Sequence, residues 1–412
     1  MTLDWLIIGG GITGVSLARL LQLRGQANVL VLEAEPEPGG LCRSREIGAH
    51  TVDVGGGHFL CSRFREVYDF VFSHVPQSAF NRFDRISKVR LSGHDIDYPV
   101  ESNLWQLPTE VQVDYLLSVA QAREALGQPA PQDFGAWIRW KLGDRIADEY
   151  MLPYNRKLWG VKAEEMDTDW LDKIPRLDPR EILRGNLARQ SDRSKFPSHD
   201  AFYYPKSGGF QAIFDAIHAP VAHCVRLGER VTRMTEEAWG WTVNDHRARR
   251  VVNTAPWPTL FDALGRPPEI EDDIGRLRAS SLVVSLWSRQ YDHDWHWRYL
   301  PSLDIPEHRE FYIHNFAPGS APDGVYTETE RSRVPGGPGG PGVRKGPGGP
   351  LHEHVNDFAY PVPTIGHASA IARVLAFFEP KNLFGVGRWG TWRYSNSDVC
   401  IREAMTFVET HE

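Results

Sequence analysis

The sequence predicts an α/β protein in which a nucleotide-binding unit on a parallel sheet is interrupted by a helical region and an antiparallel sheet. Three observations predict this. A strand, glycine turn, helix and strand open the chain; a second strand, turn and helix close it; between them, helical periodicity gives way to short apolar runs. With 412 residues, 41% hydrophobic and 24% charged, the chain can bury a large core as one composite unit or two domains.

The opening element is "LDWLIIGGGITGVSLARLLQLRGQANVLVLEAE". The run Trp5–Ile8 meets Gly9, Gly11 and Gly14, a helical pattern beginning at Ile12 and Thr13 ends at Gly25, and Val29–Leu32 delivers Glu33. Gly9 permits the tight turn, Gly11 lets the backbone approach a pyrophosphate, Gly14 allows close helix packing, and the helix start offers free N–H groups to phosphates. Glu33 lies 19 positions after Gly14, where a carboxylate accepts from ribose hydroxyls. This is a Rossmann-like dinucleotide site. Two features favour FAD over a nicotinamide dinucleotide: Gly39, Gly40, Leu41 and Arg43 follow the acid, and "NLFGVGRWGTWRYSNSDVCIREAM" supplies Gly387, Arg388 and a helix start at Asn396, Ser397 and Asp398. Gly56, Gly57 and Val231 complete the expected cofactor contacts.

The FAD-binding domain is thus expected over 1–100, 201–275 and 379–412, a helical insertion over 101–200, and an antiparallel-sheet substrate domain over 276–378. In the insertion, "EVQVDYLLSVAQAREAL" and "DFGAWIRWKLGDRIADEYML" carry apolar residues at three- and four-residue spacing. Strand-like runs follow at 281–287, 295–300 and 310–316. Residues 334–350, rich in glycine and proline without a strict period, read as a disordered surface loop.

The net charge of −7 argues against a nucleic-acid partner. Cys42, Cys61, Cys224 and Cys400 lack metal-ligand spacing, and no apolar run approaches the ~20 residues that span a bilayer, so a cytoplasmic protein with reduced thiols is expected. His293 and His296 in "YDHDWHWRY" have no evident third ligand, and no metal is assigned.

Five segments, in order, resemble those of the UDP-galactopyranose mutases: "VDVGGGHFLCS", "PYNRKLWG", "FYYPKSGGF", "AYPVPT" and "GRWGTWRY". The resemblance runs through most of the chain and extends, for the FAD segments, to the wider amine-oxidase-like flavoproteins. It implies a flavin-dependent isomerase that interconverts pyranose and furanose forms of a nucleotide-linked sugar, with N5 of the reduced flavin attacking the anomeric carbon. Covalent catalysis replaces one unavailable displacement by two easier ones, and a nucleophile carried by the cofactor accounts for the lack of a serine or cysteine triad. Reduced FAD would be required, with NADPH or NADH as candidate reductants.

By the same resemblance His58, Arg388 and Tyr394 would be catalytic. Tyr154, Asn155, Lys157, Trp159, Trp170, Tyr203, Lys206, His314 and Tyr360 would bind substrate. For Trp159 and Lys157 the alternatives are a core tryptophan and a solvated cation. The resemblance fails at two arginines that hold the substrate diphosphate: "HDAFYYPKSGGF" contains none, and in "FYIHNF" Ile313 stands where the second is expected, leaving Lys206 and His314 as substitutes. That departure keeps open an amine-oxidase-like oxidoreductase or desaturase.

Overall fold

The computed structural model describes residues 2–171, 177–190, 200–334 and 349–412. Its first sheet is centred on Thr2–Ile8, which pairs in parallel with Val29–Leu32 on one side and His246–Asn253 on the other. Val225–Arg226 and Leu383–Gly385 extend it in parallel, and Met234–Glu237 and Gly240–Val243 join as an antiparallel meander. Val29–Leu32 is buried at every position, as a strand covered on both faces must be. The helices Ile12–Leu23 and Ser397–His411 pack together against this sheet, and Trp5 Nε1 donates to Glu412 Oε1 at 2.8 Å. The two extremes of the sequence therefore share one layer.

The second sheet has the order His352–Pro361, Ala279–Ser288, Gly324–Glu330, Arg309–Tyr312, Trp297–Tyr299, Ser87–Leu91 and His94–Asp97. The hairpin Ser87–Asp97, expected in the first part of the cofactor domain, belongs here, since Ser87–Val89 pair in parallel with Trp297–Tyr299. Its residues Val89, Leu91 and Ile96 are buried against the helical insertion. The strand expected at 310–316 ends at Tyr312, and Ile313–Asn315 form a single 3-10 turn.

The insertion comprises Thr109–Ala120, Phe134–Ile146, a π turn Ala147–Met151, Leu152–Trp159 and Pro179–Ala188. Asp133 caps the second helix by accepting from Ala136 N–H at 2.8 Å, and Gly160, left-handed, ends the helix Leu152–Trp159. Spacing of four brings Tyr150, Tyr154 and Leu158 into one row and Met151 and Asn155 into the next. Both rows face the second sheet across a cleft. Most of the Gly/Pro-rich segment 334–350 lies outside the described residues. No helix among the described residues is long and apolar enough to cross a membrane.

Candidate active site

Two cavities meet at the boundary between the sheets. The first runs along the carboxyl ends of the parallel strands and is lined by Gly9, Gly11, Ile12, Thr13, Glu33, Gly40, Leu41, Arg43, Val231, Arg388 and Ser397, all expected cofactor contacts. Its backbone is shaped for a dinucleotide. A Cβ at Gly14 would lie 1.9 Å from Gly9 O, so glycine is what lets the helix sit on the strand. A Cβ at Gly11 would meet nothing within 4 Å, because that face opens into the cavity. No side chain caps the helix Ile12–Leu23, which leaves its first N–H groups to a phosphate. Glu33 is oriented by Gly10 N–H at 2.7 Å and Glu35 N–H at 2.8 Å.

The second cavity is the cleft between the insertion and the second sheet. Its wall includes Phe59, Tyr98, Tyr150, Tyr154, Trp159, Trp170, Trp297, Tyr299, Tyr360 and Tyr394, with Asn155 and Arg309. None of its lining residues is an Asp or Glu. His58, Arg388 and Ser397 line both cavities and mark their junction.

At the junction, His58 Nδ1 lies 2.8 Å from Gly56 O. A carbonyl only accepts, so Nδ1 carries the hydrogen and neutral His58 presents an unprotonated Nε2. Burial, then the Arg388 charge, lowers its pKa to about 4, so it is neutral at physiological pH. Arg388 donates from Nε to Ser395 O at 2.8 Å and from Nη1 to Ala359 O at 2.9 Å, and no carboxylate pairs with it among the described residues. The helix Ser397–His411 begins here without a side-chain cap bond at Asn396. Burial raises the hydroxyls of Tyr154, Tyr360 and Tyr394, which remain protonated donors.

The cleft does receive an arginine, Arg309, from the strand Arg309–Tyr312, four residues before Ile313; Ile313 itself is wholly buried in the core. Arg309 donates to Glu328 Oε2 from Nε at 3.0 Å and Nη2 at 2.7 Å. Glu328 Oε1 also accepts from Gly57 N–H at 2.8 Å, tying Arg309 to the His58 turn. Burial alone would raise the Glu328 carboxyl, but Arg309 and His308 hold it well below the usual carboxylate range.

Of the expected substrate residues, Tyr154, Asn155, Trp159, Trp170 and Tyr360 line the cleft, as does Tyr394. Trp159 is both wall and core: it is 1% exposed, donates from Nε1 to Asn155 Oδ1 at 2.9 Å, and meets Trp170, Tyr360 and Tyr394 edge to face. Four expected residues are not brought there. Lys157 does not line the cleft; its ammonium meets Leu300 O and Ser302 O. Tyr203 accepts from Gln77 and packs among Tyr68, Phe72 and Phe80. Lys206 is exposed beyond the strand Ala201–Pro205, and His314 bonds Ser320 O. Asn396 and Gly57 line the cleft rather than the cofactor cavity; Gly14, Gly56, Gly387 and Asp398 line neither and serve as scaffold.

Sequence reasoning missed Arg309, Tyr98, Tyr150 and Tyr299. Tyr150 was detectable four residues before Tyr154; the others arrive from distant strands. Cys42 and Cys400 line the cofactor cavity and Cys61 the cleft, but burial pushes the Cys42 thiol up to about 12 and that of Cys400 upward, away from the reactive thiolate. No cluster of three or more metal-ligating side chains occurs among the described residues.

A family model described as "NAD(P)-binding Rossmann-like domain" matches residues 7–72. The chain is 22% identical over 424 residues to a dTDP-fucopyranose mutase of Escherichia coli, spanning 98% of this chain and 97% of that protein. A crystal structure of reduced UDP-galactopyranose mutase superposes with a TM-score of 0.86 at 22% identity, covering 99% of this chain and 93% of that one. A putrescine oxidase bound to putrescine superposes with a TM-score of 0.60 at 16% identity, covering 100% and 99%. The fold is shared with both solved structures, and the likeness to the fucopyranose mutase sequence spans nearly the whole chain.

Proposed function

We propose that the protein is an FAD-dependent isomerase that interconverts ring forms of a nucleotide-linked hexose. One observation carries the reading: a dinucleotide cavity opens, at His58, Arg388 and Ser397, onto a cleft walled by tyrosines, with an arginine and no carboxylate. Such a wall suits a hydroxyl-rich, anionic ligand. Phenols donate to sugar oxygens, aromatic faces cover the apolar side of a pyranose, and Arg309 gives the diphosphate a charged partner. A protonated amine would find no counter-ion there.

The uncapped helix start at Ile12, the open face of Gly11 and the acid Glu33 fit FAD. FAD in its reduced form supplies the nucleophile, N5. The chain's own residues then have separable tasks. Arg388, which lines both cavities and has no carboxylate partner among the described residues, would supply a positive charge to a reduced flavin or to the substrate. His58 Nε2 accepts a hydrogen bond, and takes up a proton only transiently given its lowered pKa. Tyr154, Tyr360 and Tyr394 hold the sugar hydroxyls, Trp159 limits the volume in which the ring opens, and the aromatic wall excludes water from the activated carbon.

Dithionite-reduced enzyme, kept anaerobic, is expected to isomerise UDP-galactose or dTDP-fucose, and oxidised enzyme is not. Reductant should be needed in catalytic amount. The oxidase reading, favoured by the fold shared with putrescine oxidase, requires an electron acceptor consumed one for one with substrate. Stoichiometric flavin reduction by an amine, without isomerisation of either sugar nucleotide, would replace the proposal with that reading.

A further inference from the structure

Lys157 is among the largest side chains with no solvent exposure, and no carboxylate lies within ion-pair distance of it among the described residues. Isolating an ammonium in this way is costly, and its visible compensation is two carbonyls: Nζ donates to Leu300 O at 2.5 Å and to Ser302 O at 2.8 Å. Those carbonyls belong to the turn joining Trp297–Tyr299 to Arg309–Tyr312, the strands that carry Tyr299 and Arg309 into the cleft. Leu300 N–H closes the turn onto His308 O at 2.9 Å, and Arg333 Nη2 donates to Leu303 O at 2.8 Å. The helix bearing Lys157 also presents Tyr154 and Asn155 to the cleft, and Tyr154 meets Tyr299 and His308 edge to face. One ammonium therefore spans the two walls from behind.

Resting on the sugar-nucleotide reading of the cleft, we propose that Lys157 is a positioning residue whose buried ammonium holds the Leu300–His308 turn on the helix Leu152–Trp159 and so sets Arg309 and Tyr299 for the anionic substrate. Its charge also adds to the attraction for a diphosphate. The charged and titratable groups facing it are Arg333, Glu307 and His308, the last kept neutral by burial. Burial, then Arg333, lowers the Lys157 pKa to about 7, so the ammonium is lost near neutral pH, where the diphosphate of a nucleotide sugar keeps its charge.

The test uses the FAD-loaded, oxidised enzyme, with binding of UDP-galactose and dTDP-fucose followed by calorimetry between pH 6 and 8.5. Wild-type affinity should fall as pH rises through about 7. Lys157→Met, which keeps the stem and removes charge and donors, should bind about tenfold more weakly at pH 6.5, show a flat profile and retain its FAD. A variant with wild-type affinity and a wild-type profile overturns the proposal. So does a flat wild-type profile, a result that needs no variant to fold. Wild-type protein that binds neither sugar nucleotide at any pH overturns the sugar-nucleotide reading itself, a different outcome from binding that ignores Lys157.

Discussion

The cofactor cavity and the cleft share three residues and are otherwise built on opposite plans. At its strand end the cavity presents main chain: Gly9 and Gly11, an uncapped helix start and one oriented carboxylate, an arrangement that would meet a phosphate with backbone N–H groups. The cleft is mostly side chain: aromatic rings from the helix Leu152–Trp159, the second sheet and the segment after Gly387 meet edge to face, and Arg309 is held by a buried Glu328. Main-chain recognition tolerates almost any side chain that points away but no added Cβ. Side-chain recognition tolerates backbone neighbours but depends on each ring and its partners. Substitutions should therefore fail differently on the two sides of His58.

The largest effect is expected at Gly14→Ala, where the new methyl would lie 1.9 Å from Gly9 O and push the helix Ile12–Leu23 off its strand. Overpacking of this kind costs about 1–3 kcal/mol, and both thermal stability and FAD content should fall. Gly11→Val sharpens the contrast, because its side chain enters open cavity: FAD uptake should be lost while the melting temperature of the cofactor-free protein hardly moves. If FAD is retained, the phosphate cradle is misplaced.

On the cleft side, Arg309→Lys keeps a cation for Glu328 but loses the fork, and substrate affinity should drop about tenfold at unchanged FAD content. Trp159→Phe is preferred to alanine, whose cavity in a core site would itself cost about 3–5 kcal/mol. Loss of the indole bond to Asn155 should lower turnover several-fold without altering the flavin spectrum. Tyr394→Phe, which deletes one hydroxyl, should give the smallest change, about 1 kcal/mol in kcat/KM. Equal losses of FAD in all three cleft variants would erase the division between the regions.

The same division governs what the amino-acid sequence reveals. The stretch from Gly9 to Glu33 is legible because turn, helix start and acid are consecutive and their roles follow from backbone geometry alone. The row Tyr150, Tyr154 and Leu158 follows from helical spacing, and Trp159 and Asn155 from a resemblance carried by adjacent residues. Arg309 stands four residues before Ile313, and nothing local to its strand marks the end that faces the cleft. Lys157, expected either at the substrate or as a solvated cation, is neither, because the carbonyls of Leu300 and Ser302 that take its ammonium come from a turn more than 140 positions away. The hairpin Ser87–Asp97 falls within the 1–100 span expected for the cofactor domain, and its place in the second sheet is not legible because its partner, Trp297–Tyr299, stands 210 positions away (297 − 87) and parallel pairing leaves no local mark.

The packing of Ser397–His411 on Ile12–Leu23 has a consequence for biosynthesis. A chain of residues 2 to 60 holds the first strand, the glycine turn and the helix Ile12–Leu23 but still lacks Arg388 and Ser397, which line both the cavity and the cleft. A chain halted before residue 388 would carry the glycine turn and helix start without Arg388 and Ser397 to complete the cavity. Cofactor loading is then a late event that reports completion of the fold, and the yellow colour of a preparation would count finished molecules rather than translated ones.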